Sequence, residues 1–259
     1  MKLLKQPIVF LMLLVFMMPF AFLFVLSIAN GWKFPHLLPS GYSTDRWSGL
    51  IENSGGLLQS LQLSSMIGLI VAIFSTITGF MISRSISLHS KRKYLLFGCY
   101  FPLALSPVIY SLLLNHFFIM FNLSGTFSGV VVAQLIITIP FSIILLSSFW
   151  NENIRSLEQI SATLGSNLRQ TFFKVILPVA LPQLLVCFFQ TFLISWFEYG
   201  LTTIIGVGKV QTLTLRVYQY IGEANIFYAA LSSCIIVFPA AIFLWINKRF
   251  VFSKFNSCY

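Results

Sequence analysis

Acidic residues are scarce: six Asp and Glu stand among 259 residues, against 16 Lys and Arg. Charged residues of both signs make up 8% of the chain, where a soluble domain carries about a quarter. That leaves too little polar surface for an ordinary water-soluble domain. The net charge of +10 does not imply a nucleic-acid partner, because the basic residues form no binding face. Histidine occurs only at His36, His89 and His116, so there is no H-E-x-x-H and no pair at ligand spacing. Cys99, Cys187, Cys234 and Cys258 show no C-x-x-C spacing, and three of them fall in apolar runs. They read as small buried hydrophobes and one tail thiol, not as a metal or disulfide framework. Gly206-Val207-Gly208-Lys209-Val210 mimics the end of a phosphate loop. It lacks the first Gly at the required spacing and the Ser or Thr after Lys. Ser128-Gly129 is followed by no His, which excludes a Ser–His intramembrane protease. No enzyme, metal or cofactor is read from the chain, and no internal repeat or low-complexity tract interrupts it.

What the chain has is apolar length. It is 58% hydrophobic, with 28 Phe. Six apolar stretches lie near 8–29, 58–82, 94–120, 127–149, 183–205 and 226–247, each long enough to cross about 30 Å of hydrocarbon. The expectation is an all-α polytopic membrane helix bundle of six transmembrane helices, a single domain over 1–259. Ser27-Ile28-Ala29 would pass as a signal-peptide cleavage site. The apolar run before it is about twice the usual signal core, so an uncleaved span is expected. Basic residues set the orientation. With both termini in the cytoplasm, the inner segments hold Lys2, Lys5, Arg84, Lys91, Arg92, Lys93, Arg155, Arg169, Lys174, Lys248, Arg249 and Lys254. The outer segments hold Lys33, Arg46, Lys209 and Arg216. Residues 30–57, with Pro35, Pro39, Gly55, Trp32 and Trp47, form an outer connection with aromatics near the interface. Pro19, Pro102, Pro107, Pro140 and Pro239 interrupt spans, as kinks that either pack statically or let helices rock.

The segment 150–182 cannot sit in hydrocarbon, because it carries Glu158, Arg169 and Lys174. Ser156 with Gln159 predicts a capping box, and Leu157, Ile160 and Leu164 recur as one apolar stripe. Gly165 ends that helix where a left-handed residue costs least. Asn167 caps a second short helix whose Leu168, Phe172, Phe173 and Ile176 face one way. Pro178 and Pro182 are expected to break it.

This helix–glycine–helix loop resembles the cytoplasmic loop of binding-protein-dependent ABC importer permeases. Their signature is Glu-Ala-Ala, three residues, Gly, nine residues and Ile-x-Leu-Pro. Here Gly165 is followed by nine residues and then Val175-Ile176-Leu177-Pro178, while Glu-Ala-Ala falls on Gln159-Ile160-Ser161. Glu158 lies one residue early, about 100° round the helix. Weaker likenesses run from about 59 to 220. They are Gln59-Ser60-Leu61, Arg84, Phe101 to Pro107, Ser195-Trp196-Phe197-Glu198-Tyr199-Gly200, Thr212-Leu213 and Tyr218. The nearest subgroup comprises oxyanion, iron, thiamine and polyamine type permeases. The resemblance implies a multi-pass protein of the bacterial cytoplasmic (inner) membrane, surrounded by lipid. It also implies three protein partners: an ABC ATPase subunit dimer, a second permease subunit (the same or a sister chain) and an extracytoplasmic solute-binding protein. Leu157, Gln159, Ile160, Ser161, Leu164, Gly165, Leu177 and Pro178 are the implied ATPase-coupling residues. The altered acidic position leans toward a sister permease as the second subunit.

Glu198 is the only carboxylate well inside an apolar run. It is read as a group on the translocation path or at a partner interface, as a helix–helix hydrogen bond, or as a residue near the outer interface. Gln190 lies eight residues earlier, so the two would share a helix face. Gln134, Asn115 and His116 are the other intramembrane polar candidates, for the path or for ordinary interhelical bonds. The alternative function is a self-contained ion-coupled secondary transporter. It lacks repeated halves and leaves the loop unexplained.

Overall fold

The computed structural model describes residues 2–32, 39–51 and 56–247. Pro35, His36, Gly55 and Cys258 lie outside them, as do Lys33, Lys248, Arg249 and Lys254 of the orientation argument. The chain is almost wholly helical: α1 (Lys2–Ile28), a two-residue antiparallel pair β1 (Ala29–Asn30) and β2 (Gly41–Tyr42), α2 (Asp45–Ile51), α3 (Leu57–Ser87), α4 (Arg92–Ala104), α5 (Pro107–Met120), α6 (Phe127–Ser147), α7 (Glu152–Thr163), α8 (Leu168–Thr171), a π-helical turn (Phe172–Ile176), α9 (Leu177–Trp196), α10 (Gly200–Gly206), α11 (Leu213–Gly222) and α12 (Ile226–Asn247). The fold class is the all-α membrane bundle read from the sequence.

Among the described residues, four helical stretches are long and apolar enough to cross a membrane: Leu11–Ile28, Leu57–Ser87, Phe127–Ser147 and Leu168–Trp196. A fifth arises if α4 and α5, bent by 95°, count as one span. The apolar part of α12, Ile226–Ile242, is shorter. Two expected spans are therefore not single rods. Residues 94–120 break at Leu105-Ser106, where both residues are extended (ψ 144° and 136°) before Pro107. A proline excludes the helical conformation for the residue before it and itself opens the next helix well. Residues 183–205 break after Trp196, and α10 starts at Gly200.

Two compact units are present, Met1–Leu63 with Gln211–Ala241, and Ser64–Val210 with Ile242–Tyr259. In the first, Trp47 packs on Phe24 (centroids 6.5 Å) and donates to Ser27 Oγ at 3.3 Å. The Arg46 guanidinium lies 4.5 Å from the Phe227 ring centroid and donates to the Ala29 carbonyl at 2.5 Å.

The second unit has two cores. Phe80, Leu146, Phe149, Trp150, Ile154, Ile176, Ala180 and Cys187 form one around the end of α6. Phe118, Ala133, Ile137, Leu201 and Ile205 form the other, joining α5, α6 and α10. Lipid is as apolar as leucine, so close approach through small residues holds such helices together. A Cβ on Gly79 of α3 would stand 2.4 Å from the Ser142 Cβ of α6.

Candidate functional site

The 150–182 segment folds as a helical hairpin. Its first helix starts five residues earlier than expected. Asn151, not Ser156, is the N-cap: its side chain accepts from Ile154 N at 3.1 Å. Ser156 lies inside α7 and donates to the Glu152 carbonyl. The reason is tertiary. Ile154 is buried in the Phe80–Trp150 core, which holds the first turn of α7 in helical form. Gly165 behaves as expected. At φ +80° it closes a Schellman motif, with Ser166 N donating to the Ser161 carbonyl (3.2 Å) and Gly165 N to that of Ala162 (3.0 Å). Asn167 and Gln170 then form a complete capping box on α8.

The two proline breaks do not occur. The chain passes from α8 through the π turn into α9, with Pro178 at the start of α9 and Pro182 inside it. Pro178 offers no N–H and crowds the carbonyl four residues back, and the wider π turn immediately before it absorbs that misfit. The extra residue in the turn also rotates the register. Ile176 is therefore buried, Phe172 half-buried, and Leu168 and Phe173 exposed, instead of all facing one way.

The faces of α7 divide cleanly. Ile154 and Ser161 point inward. Glu158 is half-buried and meets Arg84 of α3 at 3.0 Å, and the Arg84 guanidinium lies 5.6 Å from the Trp150 ring centroid. Trp150 Nε1 in turn donates to Ser83 Oγ at 2.9 Å. The early position of Glu158 thus turns it back onto its own chain. Ser161, Ser166 and Thr171 form a hydroxyl triangle, with Oγ separations of 2.5, 2.9 and 2.9 Å, that ties the hairpin's two arms. Ser161 was legible as a motif position, whereas Ser166, Thr171 and Arg84 carried no signal of this role. Leu157, Ile160 and Leu164 form a stripe about a quarter-turn round from the inward face, 38%, 55% and 82% exposed. Gln159 and Gly165 are exposed beside them, Leu177 is half-buried and Pro178 exposed. Three exposed apolar side chains thus form one stripe on an otherwise polar helix.

The intramembrane polar residues divide as well. Glu198 sits in the break between α9 and α10 and accepts from Leu201 N (2.7 Å), Thr202 N (2.9 Å) and Thr202 Oγ1 (2.7 Å). Gln134, 2% exposed, donates to Thr202 Oγ1 at 3.2 Å, and its carbonyl oxygen accepts from Ser195 Oγ. Glu198 and Gln134 share a cavity of about 300 Å³ with Thr138, Ser195 and Tyr199. Gln190, Asn115 and His116 do not line it. Gln190 is exposed on α9, and the helix break removes the common face expected with Glu198. His116 is exposed, while Asn115 Oδ1 is buried and has no hydrogen-bond partner among the described residues. No group of three or more metal-ligating side chains occurs among the described residues.

This architecture has counterparts. The fold matches a chain of a bacterial ABC transporter that imports the polysaccharide alginate, with a TM-score of 0.65 at 15% identity over 96% of this chain and 95% of that one. It also matches a chain of the MetNI methionine ABC transporter, with a TM-score of 0.55 at 18% identity over 77% and 98%. The chain thus shares its fold with a chain of each of these two transporters. In sequence, the chain is 30% identical over 130 residues to a putative ferric transport system permease protein of Haemophilus influenzae, covering 48% of this chain and 20% of that protein. It is 26% identical over 252 residues to the trehalose transport system permease protein SugB of Mycobacterium tuberculosis (93% and 91%). It is 23% identical over 181 residues to the spermidine/putrescine permease protein PotC of Escherichia coli (69% and 68%). No family model matches. The chain spans about a fifth of the ferric permeases it matches. Its homologues are transport-system permeases, as the loop's resemblance implies, and its apolar helices make it a multi-pass membrane protein.

Proposed function

We propose that this chain is the permease subunit of a binding-protein-dependent ABC importer in a bacterial inner membrane. The observation that carries the reading is the α7–Gly165–α8 hairpin, rigidly capped yet presenting Leu157, Ile160 and Leu164 outward. An ABC ATPase receives this stripe in an apolar groove, one ATPase for each of two permease subunits. A binding protein delivers solute from the opposite side. Solute passes the cavity lined by Gln134 and Ser195, and Glu198 holds its α10 wall. The relatives favour this reading over the ion-coupled transporter. Uptake in whole cells is expected to stop when ATP is depleted and to survive collapse of the ion gradients. Uptake that follows the gradients with ATP exhausted would overturn the reading.

Coupling runs through the Arg84–Glu158 pair, which links the docked helix to the end of α3. A pair one-quarter to one-third exposed contributes about 1 kcal/mol or less to stability. Arg84→Glu or Glu158→Arg alone is therefore expected to leave the detergent-solubilised Tm within about 2 °C. Each should nevertheless cut uptake severalfold, because like charges then push α7 off α3. The double reversal should recover most of the loss. A double variant no better than the singles would remove the pair from coupling.

A further inference from the structure

A second cavity of about 300 Å³ lies in the Ser64–Val210 unit, beside the Arg84–Glu158 pair and apart from the Gln134–Glu198 cavity. It opens where α3 ends and where α4 and α7 begin. Arg84, Arg92 and Arg155 line it, with Ser87 and the carboxylates Glu152 and Glu158. The charges do not cancel. Arg84 is held by Glu158. Arg155 reaches Glu152 only at 3.8 Å, with 58% and 88% of the two side chains exposed, so that pair is weak. Arg92 donates to the Ser147 carbonyl at 2.8 Å and has no carboxylate partner among the described residues. A guanidinium carries five donors in a planar fork suited to phosphate oxygens, and one backbone bond leaves donors for an anion. Lys91 and Lys93 flank Arg92 and are exposed.

The neighbouring surface is apolar. The helix α4 that Arg92 opens has no buried residue, and Tyr94 and Phe97 are 80% and 78% exposed. A cationic cavity at the foot of a bare apolar helix matches a molecule with an anionic head and hydrocarbon tails. The inside-positive orientation places this end of α3 and α4 at the cytoplasmic leaflet. Its anionic lipids are drawn to basic pockets between helices.

We propose that this cavity binds the phosphate head group of an anionic phospholipid, with Arg92 and Arg155 as head-group contacts and α4 as the surface for the acyl chains. The inference rests on the membrane reading and orientation given above, not on the identity of the solute or the ATPase. The full chain is purified in detergent, stripped of lipid and titrated with phosphatidylglycerol or phosphatidylcholine, with bound lipid counted by native mass spectrometry. Phosphatidylglycerol is expected to bind in preference to phosphatidylcholine. Arg92→Gln and Arg155→Gln are each expected to weaken it about fivefold. Lys209→Gln, which removes one positive charge on the outer side, is expected to change nothing. Equal binding of the two lipids would overturn the proposal. So would full binding by both arginine variants, or an equal loss in Lys209→Gln. Displacement of the lipid by millimolar inorganic phosphate would reassign the cavity to small anions. Failure of the importer reading registers separately, as uptake that does not need ATP.

Discussion

Gly165→Asp is expected to abolish solute uptake while the protein accumulates in the membrane at its normal level. The backbone cost is small. A residue other than glycine at φ +80° costs about 1–2 kcal/mol, Asp and Asn less, and no atom lies within 4 Å of where the new Cβ would stand. Folding tolerates such a loss. The docked state proposed above does not, because in it the exposed turn beside Leu164 enters an apolar interface. An aspartate there is a charge taken out of water without a partner, which costs several kcal/mol and lowers ATPase affinity by two orders of magnitude or more. Gly165→Asn makes the same conformational demand without the charge and is expected to retain a substantial fraction of uptake. Uptake assays normalised to immunoblotted membrane protein separate the two variants. Normal uptake by Gly165→Asp would remove this turn from the docking surface.

Glu198→Ala is expected to be the most destabilising single substitution among the polar residues of the spans. Its carboxylate answers two backbone amides and the Thr202 hydroxyl, and that hydroxyl also accepts from the buried Gln134. Removing it leaves the donors of the buried Leu201 and Thr202 without that acceptor, at about 1–3 kcal/mol for each one left unsatisfied. A drop of several degrees in Tm in detergent should accompany loss of uptake. Glu198→Gln keeps one acceptor oxygen and should lose less of both. Both quantities are measured on the same preparations. If Glu198→Gln instead lost uptake with its Tm unchanged, the carboxylate would be a solute contact and not the anchor of α10.

Much of the hairpin could be read from residue types alone. The left-handed turn at Gly165 and the box of Asn167 with Gln170 depend on chemistry within a few residues, so they are visible locally. The start of α7 is not. Ser156-x-x-Gln159 is the better capping box on paper, but burial of Ile154 among residues from α3 and α6 outweighs a local preference of about 1 kcal/mol. The Arg84–Glu158 pair joins residues 74 apart, and nothing near either of them points to the other. Both span breaks lie in sequence that is mainly apolar on either side. Pro107 marked a disturbance but not its 95° size, which depends on Leu105 and Ser106 both becoming extended. The break at 197–199 was legible only as an acidic residue four positions before a threonine, and that spacing takes on meaning once a helix begins between them.

The central claim is that the α7 hairpin seats in an ATPase, and cross-linking between the two tests it most directly. Leu164→Cys, in a chain lacking its native cysteines, is expressed in its own membrane, labelled with a thiol-reactive photocross-linker and irradiated. The cross-linked partner is then identified by mass. A single adduct with a soluble P-loop ATPase, lost in Gly165→Asp, is the expected result. No adduct with any ATPase, from a protein that still transports and does so under an ion gradient, would contradict it.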